Sequence, residues 1–367
     1  MQPIRHGLRF SQLMSLVYFL AGHGLWAADE SLQPQGYYVG FIGEQLKLQM
    51  DLTLDHDGHR ASGTYYYDHI GKPLTLRGHW APDGKLTLQE YDARRRMTGR
   101  FHGSFSKMTT SFSGSWTSAD GQRQLTCQLR QVADYDVLWI NRGRYVTAVC
   151  RIPQLIDQPQ RRHINLNLRR VPYETTKDFV NSMRPLLAEH ETTGYERRLC
   201  QTITYYSPTF LSILVADWQY TGGAHGNVDF KSRNLLIRNG RLIEAKWHDL
   251  FEDAQAAERV LSEYCLRDLK RQRAAWVLDK TVRSFQLKDL VLTASPRGLQ
   301  ATFAPYSVGP YSSGVHEVTI PFATLTSVLH PEGPLMRLVA ATRVAATRAA
   351  ATRAATASPA DKRRLRR

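Results

Sequence analysis

The sequence lacks the short motifs that mark the commonest hydrolases. It contains no HExxH, which would bring two histidines to one helix face as zinc ligands, and no GxSxG, which would present a serine nucleophile on a strand-to-helix turn. It also contains no CxxC and no other cysteine spacing typical of a metal site. These absences argue against a zinc peptidase, a serine hydrolase of this type and a structural zinc module, and we expect no cofactor.

Cysteine is scarce, with only four residues in the chain: Cys127, Cys150, Cys200 and Cys265. In an oxidising compartment an even number predicts disulfides, and four cysteines allow three connectivities. We favour the pair Cys150–Cys200, because both residues lie on predicted strands of one domain and adjacent strands can meet the spacing of a disulfide. The alternative is that the thiols are free and buried.

Long apolar runs are missing too, with one exception near the start of the chain. Residues 13–20 are mainly apolar, two arginines precede them, and Ala27 supplies a small residue for cleavage. This pattern predicts a secretory signal peptide over residues 1–27. His23 interrupts the run, and no other segment approaches the ~20 apolar residues of a membrane span. We therefore expect a periplasmic or secreted bacterial protein with no stable membrane insertion.

Acidic residues are too few to balance the basic ones, 33 against 48, so the formal net charge is +15. Such basicity is one signature of nucleic-acid binding. Of this charge, however, +8 belongs to residues 337–367, +2 to residues 1–27 and +5 to the rest. Because the excess lies mainly in a tail and the chain is exported, we expect no nucleic-acid partner.

Residues 28–135 carry short pieces of alternating apolar and polar residues, such as LKLQMDLTL, PLTLRGHW and KLTLQEY. The turns DHDG, PDGK and ADGQ separate them, which is typical of an antiparallel meander. A Gly-x-aromatic step begins at residues 63, 78, 99, 103 and 114. Glycine permits strong bending of a strand, so we predict a curved sheet or small barrel of about six to eight strands. Its aromatic residues are expected in the core, with a ligand cavity at the barrel mouth as the alternative.

Residues 140–335 mix strands with helices and predict an α+β domain. Strands are expected at 145–152, 199–206 and 210–220, followed by a hairpin around Asn239-Gly240. Two main helices are expected, one over 160–189 with breaks or ends at Pro172 and Pro185, and one over 253–275. Two strands around an SPRG turn and a last strand complete an antiparallel sheet.

The tail, residues 337–367, repeats AATR-like units whose arginines are five residues apart. This spacing spreads charge around a helix axis, so no amphipathic face forms. We predict a low-complexity basic tail that is disordered or a frayed helix. Weak attraction to anionic envelope polymers is the functional alternative.

Three segments of the second domain together resemble a family of bacterial extracytoplasmic modules: DWQYTGGAHGN, the hairpin that ends in WHDLF, and LVLTASPRGLQATFAPYSVGPYSSGVHEVTIPFATL. The family includes the ectodomain of RsiV-like anti-sigma factors and the C-terminal part of PdaC-like peptidoglycan deacetylases. With the preceding segment YVTAVCRIPQLIDQPQRRHINLNLRR, the resemblance covers residues ~140–330. It implies a binding domain, because RsiV-like proteins recognise lysozyme. The chemistry of PdaC-like proteins belongs to a separate domain that is not recognisable in this sequence.

The stretch QYTGGAHGN, residues 219–227, is the main candidate site. Gly222 and Gly223 can adopt positive φ, and Gly226 permits a close approach of the backbone. His225 then lies on a sharp turn at a strand end. We predict that it orders the loop as a hydrogen-bond partner.

Metal binding and catalysis are weaker hypotheses for His225. A zinc site needs at least two further ligands, and topology offers only His248 and Asp249 as weak candidates. A general base needs a nucleophile, and Cys265 lies on a predicted apolar helix face. We predict no catalytic residue.

Three tyrosines, Tyr220, Tyr306 and Tyr311, flank the same loops. Rigid aromatics on glycine-rich loops suit a recognition surface, and buried packing is the alternative. With Gly222, Gly223, His225 and Gly226, these tyrosines form the predicted binding set.

The sequence as a whole predicts a binding protein of the cell envelope that recognises a muramidase of lysozyme type or a cell-wall glycan such as peptidoglycan. The first alternative is an envelope glycan hydrolase or deacetylase that uses His225. A structural envelope protein without a small ligand is the second.

Overall fold

The computed structural model describes residues 35–356, with gaps at 56–58, 82, 107–109, 143–144 and 189–193. The predicted signal peptide and the end of the predicted tail, residues 357–367, lie outside the described residues.

The first eight strands form a closed antiparallel barrel, as the alternating pattern predicts. Each strand pairs with the next, and β1 also pairs with β8, with Tyr38 opposite Gln131. The strands are β1 (Gln35–Ile42), β2 (Leu46–Leu54), β3 (Arg60–Tyr67), β4 (Leu74–Trp80), β5 (Lys85–Tyr91), β6 (Met97–Ser106), β7 (Ser111–Ser118) and β8 (Gln124–Arg142).

Inward-facing side chains fill the barrel as one buried cluster. Along β5, alternate residues Leu86, Leu88 and Glu90 are buried, as expected for a strand with one face on a core. All five aromatic residues of the Gly-x-aromatic steps belong to this cluster or pack against it, which confirms their predicted place in the core. Gly103 and Gly114 face each other across β6 and β7, and a Cβ on Gly103 would lie 2.6 Å from the Gly114 Cα. Glycine is therefore needed where the two strands approach this closely.

The long strand β8 connects the barrel to a second group of strands. Its last part, from Ala133, pairs with β9 (Val146–Leu155). The domain boundary that the sequence predicts at 135–140 thus falls within one continuous strand. Four further strands extend the same sheet: β10 (Tyr195–Ser207), β11 (Phe210–Tyr220), β12 (Asn227–Arg238) and β13 (Arg241–Glu244).

The crossover from β9 to its parallel neighbour β10 contains helix α1 (Arg161–Met183). Its buried residues, including Ile164, Leu168 and Phe179, pack on one face of the sheet. The predicted break at Pro172 is wrong, because the helix continues through this residue. Pro172 is itself buried, so tertiary packing outweighs the missing backbone hydrogen bond. The helix ends before a 3₁₀ turn that begins at Pro185, the second predicted break.

The other face of the sheet is covered by a smaller antiparallel sheet of β14 (Val291–Ser295), β15 (Gly298–Phe303) and β16 (His316–Pro321). Buried polar side chains join the two sheets. Ser212 donates a hydrogen bond to the Asn234 side chain at 2.7 Å and accepts one from the Ala294 backbone at 2.8 Å, while Asn234 donates to the Leu292 carbonyl at 2.9 Å. A barrel followed by an α+β region is the predicted fold class, and the structure confirms it.

Helices flank the smaller sheet. They are α2 (Trp247–Leu250), α3 (Ala254–Arg271), α4 (Ala275–Leu278), α5 (Phe322–Leu325) and α6 (Pro334–Thr356). The Asp253 carboxylate accepts hydrogen bonds from the first backbone N–H groups of α3, which fixes the start of this helix near the predicted position. Helix α6 is a third long helix beyond the two predicted. Its first turns bury Leu335, Leu338 and Val339 in the core, and the helix extends through the first part of the predicted tail.

The predicted Cys150–Cys200 disulfide is not formed, and all four cysteines are free and buried. In the parallel register of β9 and β10, Cys150 lies opposite Leu199, and Cys200 lies opposite Arg151. This offset of one residue directs the two thiols to opposite faces of the sheet. Burial raises the pKa of Cys150 to about 11, so its thiol is protonated at neutral pH.

Within the described residues, no helix is both long enough and apolar enough to cross a membrane.

Candidate binding site at the glycine-rich loop

The predicted binding residues lie on two loops that meet at the end of strand β11. The first loop joins Tyr220, at the end of β11, to Asn227, at the start of β12. The second loop joins β15 to β16 and contains Tyr306 and a short 3₁₀ turn, Tyr311–Ser313. The packing of the two sheets brings the loops into contact, although they are about eighty residues apart in the chain.

Glycine serves two different purposes in the first loop. Gly222 and Gly223 adopt φ values of +96° and +90°, a region that L-residues with a side chain rarely enter. At Gly226 the requirement is space, because a Cβ there would lie 2.4 Å from the ring of Trp218. The backbone at Gly226 therefore rests directly on a tryptophan.

His225 is held by one hydrogen bond and one ring contact. Its Nδ1 lies 3.0 Å from the Gly226 carbonyl oxygen, and its ring stacks on Tyr311 with centroids 3.8 Å apart and planes inclined by 18°. A carbonyl only accepts, so Nδ1 carries the proton and donates. The Tyr311 hydroxyl donates to the same Gly226 oxygen at 2.9 Å. One carbonyl oxygen therefore holds both rings, and the role of His225 in ordering the loop stays a prediction.

Tyr306 lies beside the stacked pair, with its ring tilted by 38° relative to that of Tyr311. Its ring centroid lies 5.7 Å from that of Tyr311, its side chain is 51% exposed, and its backbone has a φ of +66°. We call the rings of His225, Tyr306 and Tyr311 the ring surface. Because a non-glycine residue at positive φ is costly, the surrounding fold must hold the backbone at Tyr306 in this conformation.

Tyr220 and Trp218 support the ring surface from strand β11. The Tyr220 hydroxyl donates to the Gly223 carbonyl at 2.9 Å and so closes the glycine turn. Trp218 lies directly against Gly226, and the Arg198 guanidinium lies 5.4 Å from the centroid of the Trp218 ring. The predicted residues are thus brought together, with a cation and a tryptophan beside them.

The weak metal candidates do not form a ligand set. Among the described residues there is no group of three or more His, Cys, Asp or Glu placed to hold an ion. Asp249 instead accepts a hydrogen bond from the Lys246 backbone at 2.8 Å at the start of α2, and the exposed His248 lies 4.0 Å from it. Asp249 therefore caps the start of α2.

Sequence reasoning missed a buried carboxylate in the barrel. Glu90 is 3% exposed and accepts hydrogen bonds from Tyr65, Thr98 and Trp116, the last at 2.8 Å. The alternation in KLTLQEY could have indicated this burial, because Glu90 lies on the same face of the strand as the apolar residues Leu86 and Leu88. With its acceptor atoms occupied by three donors, this residue is structural.

A second missed cluster joins the barrel to the larger sheet. Tyr135 donates to Asp51 at 3.1 Å, Arg151 lies 3.7 Å from the same carboxylate, and the Arg151 guanidinium stacks on the Tyr135 ring at 3.5 Å. Burial raises the pKa of Asp51, and the nearby positive charge of Arg151 opposes this shift. No motif indicates this cluster, because its members come from three strands that are distant in sequence.

A protein-family model matches residues 248–323, and its description is DUF3298, a protein family of unknown function. The chain therefore contains a DUF3298 domain, which includes Tyr306 and Tyr311, whereas His225 precedes the matched segment. No curated protein matches the chain.

Two crystal structures of DUF3298 family proteins are similar to the chain. The protein from Pseudomonas aeruginosa PAO1 is 17% identical, and the match covers 54% of this chain and 93% of that one, with a TM-score of 0.42. The protein from Bacteroides fragilis NCTC 9343 is 16% identical, and the match covers 57% and 98%, with a TM-score of 0.44.

Proposed function

We propose that this chain is an extracytoplasmic binding protein of the bacterial envelope, and that its ring surface recognises the glycan of peptidoglycan. The observation that carries the proposal is a cluster of three rings: His225 stacks on Tyr311, the Gly226 carbonyl oxygen accepts hydrogen bonds from both, and the half-exposed Tyr306 ring lies beside Tyr311. Exposed aromatic faces that are already ordered bind ligands with little loss of side-chain entropy.

The chemistry of the rings suits a sugar. An aromatic face is electron-rich, so it attracts the polarised C–H groups on one side of a pyranose ring as it attracts the edge of another aromatic ring. The tyrosine hydroxyls and the His225 ring nitrogen add hydrogen-bonding groups at the rim. The same three side chains can therefore contact the flat face of a sugar ring and form hydrogen bonds with the hydroxyl groups at its edge.

Charge favours peptidoglycan over a muramidase. Outside the signal segment and the tail, the sequence has a net charge of +5, whereas Arg198, whose guanidinium lies 5.4 Å from the Trp218 ring centroid, is already paired with Glu196. The stem peptides of peptidoglycan carry carboxylates, whereas a muramidase of lysozyme type is basic. Opposite charges promote the encounter of two partners, and like charges oppose it.

The alternative of a glycan hydrolase or deacetylase has less support. Among the described residues, the contacts of His225 are a carbonyl oxygen and a tyrosine ring, and neither is an acid–base partner. Hydrolysis of a glycan generally requires two carboxyl groups. A binding surface needs no such group.

The test is the affinity for a soluble disaccharide-peptide from peptidoglycan, measured by titration calorimetry. Tyr306→Ala is expected to weaken binding about tenfold or more, because truncation of a well-packed interface aromatic commonly has this effect. Tyr311→Phe keeps the ring but removes the hydroxyl that donates to the Gly226 carbonyl, so it is expected to bind more weakly than the wild type and more tightly than Tyr306→Ala.

Tyr173→Ala is the matched control, because Tyr173 is an exposed tyrosine on α1, away from these loops. Equal affinity of the wild type and Tyr306→Ala would contradict the proposal. Retention on immobilised lysozyme without any affinity for the disaccharide-peptide would assign the surface to a protein partner instead.

A further inference from the structure

The outer face of α1 combines arginines with exposed apolar side chains. Residues 158–173 include four arginines and no acidic residue. One face of the helix carries residues three or four positions apart in sequence. They are Arg162, Leu166, Arg169, Arg170 and Tyr173. This stripe lies away from the buried residues of α1. We call these five residues the α1 stripe.

Its apolar members are unusually open to solvent. Leu166 is 62% exposed and Tyr173 is 39% exposed. Arg169 lies with its guanidinium 6.0 Å from the centroid of the Tyr173 ring. Apolar and cationic groups are therefore interleaved on one surface rather than separated.

The hairpin between β12 and β13 extends the positive surface beside the start of α1. Its exposed residues Arg238 and Arg241 are directly paired across the two strands. The turn between them contacts the helix end, since a Cβ on Gly240 would lie 2.3 Å from the Gln160 side-chain oxygen. Ile243, on the edge strand β13, is a further exposed apolar residue.

Three acidic residues near this surface in sequence have basic partners. Asp157 accepts from Arg130 at 2.8 Å, Glu174 pairs with Arg170 at 3.2 Å, and Glu244 accepts from Arg233 at 2.9 Å. Because the partner of Glu174 is a stripe residue, this pair offsets one positive charge of the surface, and Arg162, Arg169, Arg238 and Arg241 supply the excess that remains.

We propose that the α1 stripe and the adjoining hairpin form a docking surface for an anionic phospholipid bilayer. An arginine places its charged group among lipid phosphates while its aliphatic stem covers apolar surface. Leucine and tyrosine at the same level enter the boundary between headgroups and acyl chains. Charge attracts the helix to the bilayer, and apolar burial adds affinity that a soluble polyanion cannot provide.

A polyanion in water, such as an acidic polypeptide, is the other partner that the charge would fit. Leu166 adds no affinity for such a polyanion, because a charged chain in water leaves the leucine side chain exposed to solvent. The exposed apolar residues of the α1 stripe therefore favour the bilayer. Their replacement should weaken binding to a bilayer but not to a soluble polyanion, which distinguishes the two partners.

The test is sedimentation of the full chain with vesicles of equal parts phosphatidylglycerol and phosphatidylcholine. Two variants each replace four exposed arginines by glutamine and so change the net charge equally. The stripe variant carries the changes at the three arginines of the α1 stripe, Arg162, Arg169 and Arg170, and at the neighbouring Arg161. The barrel variant carries them at Arg77, Arg94, Arg100 and Arg123. We expect the stripe variant to bind about a hundredfold more weakly than the wild type, and the barrel variant to bind within about threefold of it.

A third variant, Leu166→Ser with Tyr173→Ser, keeps every arginine. It is expected to bind the vesicles about tenfold more weakly and to bind soluble polyglutamate as the wild type does. Circular dichroism and thermal melting confirm that each variant is folded, which is expected because all substituted side chains are exposed or partly exposed.

Three outcomes would overturn the proposal. The first is an equal loss of vesicle binding in the stripe and barrel variants, which would leave only net charge as the cause. The second is equal binding of the wild type to vesicles of phosphatidylcholine alone. The third is unchanged vesicle binding by the Leu166→Ser, Tyr173→Ser variant, which would make this a surface for soluble polyanions.

Discussion

Gly226→Ala is expected to lower the free energy of unfolding by about 1–3 kcal/mol, because the added methyl group has no room beside Trp218. An ideal Cβ at Gly226 would lie 2.4 and 2.6 Å from two atoms of the Trp218 ring and 3.0 Å from the Gln219 carbonyl oxygen. Carbon atoms in contact are ordinarily about 3.5–4.0 Å apart, so the ring would have to move by about 1 Å. Trp218 packs on the buried Val228 and Phe230, which resist this movement.

A double-mutant cycle distinguishes this clash from a general loss of loop order. Gly226→Ala and Trp218→Leu are combined, and stability is measured by urea unfolding followed by far-ultraviolet circular dichroism. Because a leucine leaves room for the methyl group, the double variant is expected to be more stable than the sum of the single effects predicts, by about 0.5–3 kcal/mol.

Gly223→Ala provides the matched control. Its φ of +90° makes the substitution destabilising, but its Cβ would meet nothing within 4 Å. A loss of about 1–3 kcal/mol is expected from backbone conformation alone, without coupling to Trp218→Leu. Additivity of Gly226→Ala and Trp218→Leu, or the same coupling for Gly223→Ala, would refute the packing argument.

Four further predictions concern other parts of the molecule. His225→Ala should lower stability by about 1 kcal/mol, the typical net value of one hydrogen bond; a loss of glycan cleavage with an unchanged melting temperature would instead support the enzyme alternative. Glu90→Ala should cost about 3 kcal/mol or more in urea unfolding, because three donors lose their acceptor, and Glu90→Gln should cost less. Burial lowers the pKa of His316 below its ordinary 6.5, so the unfolded chain binds more protons and stability is lost as pH falls through the window below 6.5. Unfolding curves of His316→Gln should show a smaller loss there than the wild type, while the exposed His79→Gln behaves as the wild type. Peptide mapping of unreduced protein should find Cys150 as a free thiol, and a Cys150–Cys200 disulfide would contradict the observed strand register.

Local patterns were sufficient for much of the fold. Alternation in segments such as KLTLQEY predicts the barrel strands, because each strand has one face in a filled core. The Asn239-Gly240 turn predicts the β12–β13 hairpin, and the cap at Asp253 marks the start of α3. Each of these features is determined by residues within a few positions of one another.

Features that depend on distant parts of the chain could not be predicted in this way. The pairing of β1 with β8 closes the barrel, and no local pattern indicates it. The Cys150–Cys200 prediction was wrong although the two strands are indeed neighbours, because a register offset of one residue is not visible in sequence. Pro172 remains within α1 because the helix packs on the sheet, a tertiary effect that outweighs local propensity.

In the candidate site, too, local features could be predicted from the sequence and contacts between distant residues could not. The glycines of the first loop indicate its backbone conformation directly, and Gly222 and Gly223 adopt it. Contact between His225 and Tyr311 requires the smaller sheet to pack against the larger one, so sequence could only place both residues in a common predicted set. Their binding role remains a prediction.

Binding without turnover is the central claim, and incubation with insoluble peptidoglycan tests it most directly. Purified protein is mixed with peptidoglycan sacculi, and the pellet is assayed for protein while the supernatant is assayed for released muropeptides and acetate over time. The account predicts that the wild type sediments with the sacculi, that Tyr306→Ala remains largely in the supernatant, and that neither releases soluble products. Absence of the wild type from the pellet, or a release of products that His225→Ala abolishes, would contradict it.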